Sequence, residues 1–167
     1  MAAEGRIDIM TQKDWEQVRE IYREGLETRN ASFELEVPSW EEWDKKCHQE
    51  CRLVYRDGNQ VLGWAALSPT STRWVYRGVA EVSIYIKQGQ HRKGLGRKLL
   101  KSLIECSEEK GLWTLQGGIF PENGASIRLH EECGFRLVGR REKVGRHFGV
   151  WRDTVILERR SKKVGID

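Results

Sequence analysis

One stretch constrains this chain more than any other: "AEVSIYIKQGQHRKGLGRKLLKSLIE", residues 80–105. Its first part alternates, with Val82, Ile84 and Ile86 on one side of an extended chain and Glu81, Ser83 and Tyr85 on the other. Its last part carries Leu95, Leu99 and Leu103 at helical spacing, a stripe that Cys106 just beyond it continues. Between them, Gly94 and Gly96 lie in a positive run, with His91, Arg92 and Lys93 before them and Arg97 and Lys98 around and after. A strand that turns through glycines into a helix offers unpaired N–H groups and the positive end of the helix dipole to an anion, and the basic side chains attract it from further away. We read that anion as a pyrophosphate.

Two common phosphate motifs do not fit. A P-loop separates its glycines by four residues and continues Gly-Lys-Ser/Thr. A dinucleotide fingerprint needs a third glycine where Leu99 stands, and it belongs on the first strand.

The remaining elements follow from periodicity and turn chemistry. "GRIDIM" reads as a strand. Thr11 with Asp14 opens a helix whose apolar face is Trp15, Val18, Tyr22 and Leu26, and Ser39 with Glu42 opens a second. Residues 51–69 form a hairpin around Asp57-Gly58-Asn59. "LWTLQGGI" is a strand, Asn123 caps a short helix ending at Cys133-Gly134, and "FRLVGRRE" and "VWRDTVILERR" are the last two strands. The order β-α-α-β-β-β-α-β-α-β-β predicts an α/β fold with a mixed central β-sheet and helices on both faces. At 167 residues, without repeat or long linker, the chain reads as one domain over 1–167, with its core at about 6–158.

The charge balance, 29 basic against 25 acidic residues, describes a mixed surface and does not call for nucleic acid, although basic residues gather at 91–101 and 136–163. No apolar run is long enough to cross a membrane, and "MAAEGRIDIM" has no leader-like apolar stretch, so the chain is expected to be cytoplasmic. Cys47-His48 and Cys51 lack zinc-knuckle spacing, and no metal is expected. Because Trp40, Trp43, Cys47 and Cys51 continue one helical stripe, both cysteines are expected to be buried, reduced thiols.

"AEVSIYI", "HRKGLGRKLL" and "NGASIRLHEECGFRLVG" at this separation resemble the GCN5-related N-acetyltransferases (GNAT). "RNASFELEVPSWEEW" and "RWVYRGVAEVSIYI" extend the resemblance to the phosphinothricin and methionine-sulfoximine acetyltransferase branch, covering the chain to about residue 158. His91 departs from that pattern, standing where the loop usually begins with Gln or Arg. The resemblance implies acetyl-CoA as cosubstrate and direct attack of a primary amine on its thioester. The loop His91, Arg92, Lys93, Gly94, Leu95 and Gly96 would hold the pyrophosphate. Ser83, Ile84 and Tyr85 would offer main-chain bonds to the pantetheine arm, and Asn123 would touch it from the facing loop.

An amine is mostly protonated at neutral pH, so a proton must leave before attack, and the departing thiolate benefits from one. Glu81 is the base that the resemblance implies, acting directly or through water; an exposed carboxylate or an ammonium anchor is the other reading. His130 occupies the position where many of these enzymes carry a Tyr, in agreement with the phosphinothricin branch. It is read as catalytic, with its direction, acid or base, left open. The resemblance also places Phe33, Arg73, Tyr76 and Glu81 at the substrate; a guanidinium forks onto a carboxylate or phosphinate. It implies a small amino-acid-like acceptor and a homodimer for which the C-terminal strands are the candidate interface. Acetylation of a peptide N-terminus or polyamine, and a non-catalytic acyl-CoA-binding domain, stand as alternatives.

Overall fold

A computed structural model describes residues 5–167; the beginning of the segment read for a leader, residues 1–4, lies outside them. The elements are β1 (Arg6–Ile9), α1 (Trp15–Glu27), α2 (Trp40–Lys46), β2 (Leu53–Asp57), β3 (Gln60–Pro69), β4 (Val79–Ile86), α3 (Leu95–Glu109), β5 (Thr114–Ile119), α4 (Gly124–Glu132), β6 (Arg136–His147) and β7 (Val150–Arg160). Their order is the one read from the sequence. The seven strands form one mixed sheet, ordered β1-β2-β3-β4-β5-β7-β6. Among the described residues only β4 and β5 pair in parallel, because α3 carries the chain across between them.

Each face of the sheet buries its own layer. Leu99, Leu100 and Leu103 of α3 pack on Ala65, Leu67, Ala80 and Leu157. On the other face Val18, Ile21 and Trp43 from α1 and α2 pack on Val54, Val61, Trp64 and Ala66. Strand β3 is covered on both sides, which explains its nearly continuous apolar run "VLGWAAL". Truncating Leu99 or Leu103, both fully buried, to Ala would cost roughly 2–5 kcal/mol.

Thr11 and Asp14 open a single 3-10 turn over Gln12–Asp14 before α1 begins. The Asp14 carboxylate accepts the Thr11 N–H at 3.0 Å, and Arg56 forks onto it at 3.0 and 3.1 Å. Burial alone would raise the Asp14 pKa, but these bonds outweigh it and hold the carboxyl below its ordinary value. Strand β6 runs five residues past the expected "FRLVGRRE", ending at His147.

The cysteine stripe is corrected. Helix α2 stops at Lys46, Cys47 turns extended, and Cys51 adopts φ +59°, so the chain carries Cys51 away from Trp43 and Cys47 to the α3 layer. There Cys51 is joined to Cys106 in a disulfide, while Cys47 is a free buried thiol as expected. Among the described residues no helix is long and apolar enough to cross a membrane.

Candidate active site

The site is made by a break in the sheet. Strands β4 and β5 pair over only three rungs, the last being Glu81 opposite Gln116. Beyond it β4 continues to Ile86 along β3, and β5 continues to Ile119 along β7, with no further pairing between them. The edge of β4 from Val82 to Ile86 that faces β5 therefore has no strand partner, and its main-chain groups are free to bond an extended ligand. A cleft of about 490 Å³ opens here, and Phe33, Glu81, Ser83, Ile84, Tyr85, Asn123 and His130 all line it.

Glu81 and His130 flank the point where the strands part, from opposite faces of the sheet. Val82, Ile84 and Ile86 pack into the α3 layer, so Glu81, Ser83 and Tyr85 point to the α1 side. Glu81 is exposed there. His130, on α4, is only 2% exposed and lies against Gly117 of β5. Its Nδ1 is 2.7 Å from the Ser126 carbonyl oxygen, which can only accept, so Nδ1 carries the proton and Nε2 keeps a lone pair. Burial lowers the His130 pKa more than the Ser126 bond raises it, so the ring is held neutral further into acid than an ordinary histidine. In that state Nε2 takes a proton rather than giving one.

The glycine loop follows β4 at the end toward which the cleft opens. Arg92 and Gly94 adopt φ +64° and +79°, and Gly94 is the N-cap of α3. The first intrahelical bond is from the Lys98 N–H to the Gly94 carbonyl at 3.1 Å, leaving the N–H groups of Leu95, Gly96 and Arg97 without a helical acceptor. His91, Arg92, Lys93 and Gly94 are exposed. The two glycines differ in purpose: Gly94 supplies a left-handed turn, while a Cβ on Gly96 would come within 3.2 Å of Leu129, so its absence lets α3 and α4 close together.

The segment between α1 and α2 roofs the cleft on the Glu81 side. Phe33 packs edge-on against Phe120 at 4.8 Å. The glycine at position 145 leaves room for the Phe33 ring, which a Cβ there would meet at 2.7 Å. Arg152 of β7 donates to the Arg29 carbonyl at 2.8 Å, to Asn30 Oδ1 at 3.0 Å and to Glu122 Oε2 at 3.1 Å, tying this roof to the loop before α4. Asn123 caps α4 through the Ser126 N–H at 3.2 Å and donates to the Asn30 carbonyl at 3.2 Å. Its side chain thus holds the cleft walls together. The Tyr85 ring is stacked on Trp64 at 5.0 Å, and burial raises its hydroxyl pKa, so Tyr85 offers the cleft its main chain.

Arg73 and Tyr76 are not brought into this lining. They lie on the exposed turn before β4, the Arg73 guanidinium 5.5 Å from the Tyr76 ring. In their place the cleft contains Lys46, Gln116, Arg141 and Thr154, which the sequence does not single out. Lys46 is paired with Glu34 at 2.6 Å. The only sequence signal for Arg141 is its membership of the basic run at 136–163.

Residues 7–156 match a family described as acetyltransferase (GNAT) domain. The chain is 34% identical over 162 residues to a phosphinothricin N-acetyltransferase of Alcaligenes faecalis, covering 92% of this chain and 81% of that one. It is 37% identical over 107 residues to an L-methionine sulfoximine/L-methionine sulfone acetyltransferase of Pseudomonas paraeruginosa, a match that spans 64% of this chain and 62% of that relative. A crystal structure of a GNAT superfamily phosphinothricin acetyltransferase from Sinorhizobium meliloti in complex with AcCoA superimposes with a TM-score of 0.87 at 26% identity, covering 98% of this chain and 91% of that one.

Proposed function

The chain belongs to the acetyltransferase (GNAT) family, and from that premise we propose that it transfers the acetyl group of acetyl-CoA to the primary amine of a small amino-acid-like substrate, a glutamate analogue such as phosphinothricin or methionine sulfoximine. The observation that carries this reading is the parting of β4 and β5 with Glu81 and His130 on either side of it. The N–H groups of Leu95, Gly96 and Arg97, which lack helical acceptors, suit the pyrophosphate, and the unpaired edge at Ser83, Ile84 and Tyr85 suits the pantetheine amides.

Two protons must leave the substrate ammonium, and one returns to sulfur. Glu81, exposed on the substrate side, takes the first, directly or through water, and the freed amine attacks the thioester carbonyl. His130 Nε2 takes the second from the nitrogen of the tetrahedral intermediate. As the carbon–sulfur bond breaks, the imidazolium returns that proton to the thiolate. A single nitrogen thus serves as base and then acid. Phe33 closes the substrate's apolar side, while Arg73 and Tyr76 lie outside the cleft lining, on the exposed turn before β4.

The names of the relatives support the substrate class, and the dependence on acetyl-CoA supports a cytoplasmic setting, against which the Cys51–Cys106 disulfide stands. Strand β6 lies at the edge of the sheet with Leu137, Val150 and Trp151 exposed nearby, which supports a homodimer through the C-terminal strands. The test of the function is CoA release measured with phosphinothricin, methionine sulfoximine, ordinary amino acids, polyamines and a short peptide. Saturable release with a glutamate analogue is expected. Preference for the peptide or the polyamine would move the chain to another acetyltransferase specificity, and binding of acetyl-CoA without turnover of any amine would make it an acyl-CoA-binding domain.

A further inference from the structure

We infer that Arg141 of β6, which faces the cleft beside Thr154, is the specificity-determining anchor for the acidic group of the substrate, whose amine lies at Glu81. This rests on the amine-acetylation reading above.

Arg141 pairs with Thr154 and Gly145 with Arg152, so Glu142, Lys143 and Val144 stand opposite Asp153 alone. In a regular strand, residues 141 and 144 would point to opposite faces, because side chains alternate with a period of two. Both nevertheless line the cleft, together with Thr154 and Ile156. Arg141 does so through its regular pairing with Thr154, and the bulge turns Val144 to the same side, as bulges do where a strand must re-aim a side chain.

The bulge is fixed in place. Lys143 absorbs the turn at φ +45°, in the left-handed region. Asp153 accepts the Lys143 N–H at 2.8 Å and Arg140 Nε at 2.8 Å, and these two bonds hold the Asp153 carboxyl below its ordinary pKa.

Charge then selects the ligand. Among the described residues two cationic side chains line the cleft, Lys46 and Arg141. Lys46 is neutralised by Glu34, whereas Arg141 has neither ion pair nor side-chain hydrogen bond among the described residues. Of the arginines on this hairpin, Arg140 is committed to Asp153 and Arg152 to Glu122, and Arg146, unpaired among the described residues, is not part of the cleft lining. Along the face of the sheet that carries Glu81, the order β4-β5-β7-β6 therefore sets a carboxylate at one end and a free guanidinium at the other. Phe33 and Ile156 provide apolar surface in the same cleft. This pattern fits an α-amino acid bearing a carboxylate or phosphinate, to which an arginine forks. It disfavours a polyamine, whose second ammonium would face Arg141.

The experiment compares R141Q, R141K and the unmodified chain on phosphinothricin and on its fully esterified form, which keeps the amine and lacks the acidic groups. Loss of a charge-assisted bond predicts that R141Q raises KM for the acidic substrate about 10- to 100-fold. Its kcat and its KM for acetyl-CoA should stay within about twofold, the ester should be unaffected, and R141K should recover part of the loss. An R141Q enzyme that treats acid and ester alike overturns the anchor. If the unmodified chain releases CoA with no amine at all, the acetylation reading itself fails, and the anchor with it.

Discussion

Gly117 and His130 are in contact across the layer between β5 and α4: a Cβ built on Gly117 would lie 3.2 Å from His130 Nε2 and 3.3 Å from its Cδ2. The glycine leaves the room in which the imidazole presents its lone pair at the cleft. Gly117→Ala should press on that nitrogen and lower kcat about 10- to 100-fold, with roughly 1–3 kcal/mol of destabilisation from overpacking. Acetyl-CoA affinity should change far less. Steady-state kinetics beside calorimetric titration separates the two, and an unchanged kcat would remove His130 from the proton path.

The pH dependence follows from the direction of the His130 shift. Burial, opposed by the Ser126 bond, places its pKa below the ordinary 6.5. The base form therefore persists as pH falls through 6.5, and the limb of kcat/KM that belongs to His130 should appear only below that value. H130Q should reduce activity about 100-fold and abolish that limb. The same sign applies to stability. His48, His130 and His147 are all lowered chiefly by burial, so the unfolded chain binds protons first. Their contribution is complete above about pH 6.5 and declines as pH falls toward 5, which urea midpoints measured across this range would reveal.

The Cys51–Cys106 bridge closes a separation of 55 residues and ties the segment before β2 to α3. Chain-entropy reasoning for a loop of that length gives about 4 kcal/mol of stabilisation. Thermal unfolding with and without a thiol reductant should differ accordingly. C51S/C106S should unfold at the reduced protein's temperature and be insensitive to reductant, whereas a reductant effect surviving in that variant would assign it to some other group.

Arg152 holds the roof of the cleft by bonds to Arg29, Asn30 and Glu122. R152Q should loosen that roof and raise KM for both the amine and acetyl-CoA several-fold, with a smaller change in kcat, because no reacting atom is touched. A loss confined to kcat would contradict a positioning role.

Much of this was legible in residue patterns. The alternation in residues 79–86 gives β4 and the two faces that separate Glu81 from Val82 and Ile84, and Asn123 announces the α4 cap. Local chemistry writes these features, so a local reading finds them. The parting of β4 and β5 is different, because it depends on how α3 and α4 seat two strands far apart in the chain. The disulfide was hidden for a similar reason: Cys51 looks like the next step of a helix until the chain turns at Cys47. The β6 bulge is signalled by no Pro or Gly at its centre, where Lys143 takes the positive φ. Arg141 looks like one basic residue among many, because its place in the cleft without an acidic partner is set by strands brought together from distant parts of the chain.

Glu81 is the group on which the chemistry turns, and its replacement by Gln keeps the shape while removing the proton acceptor. The direct measurement is CoA release by E81Q with a saturating glutamate analogue, alongside its acetyl-CoA dissociation constant. A fall in kcat of about 100-fold or more with an unchanged dissociation constant is the expected result. Release at the unmodified rate would contradict the assignment of Glu81 as the base.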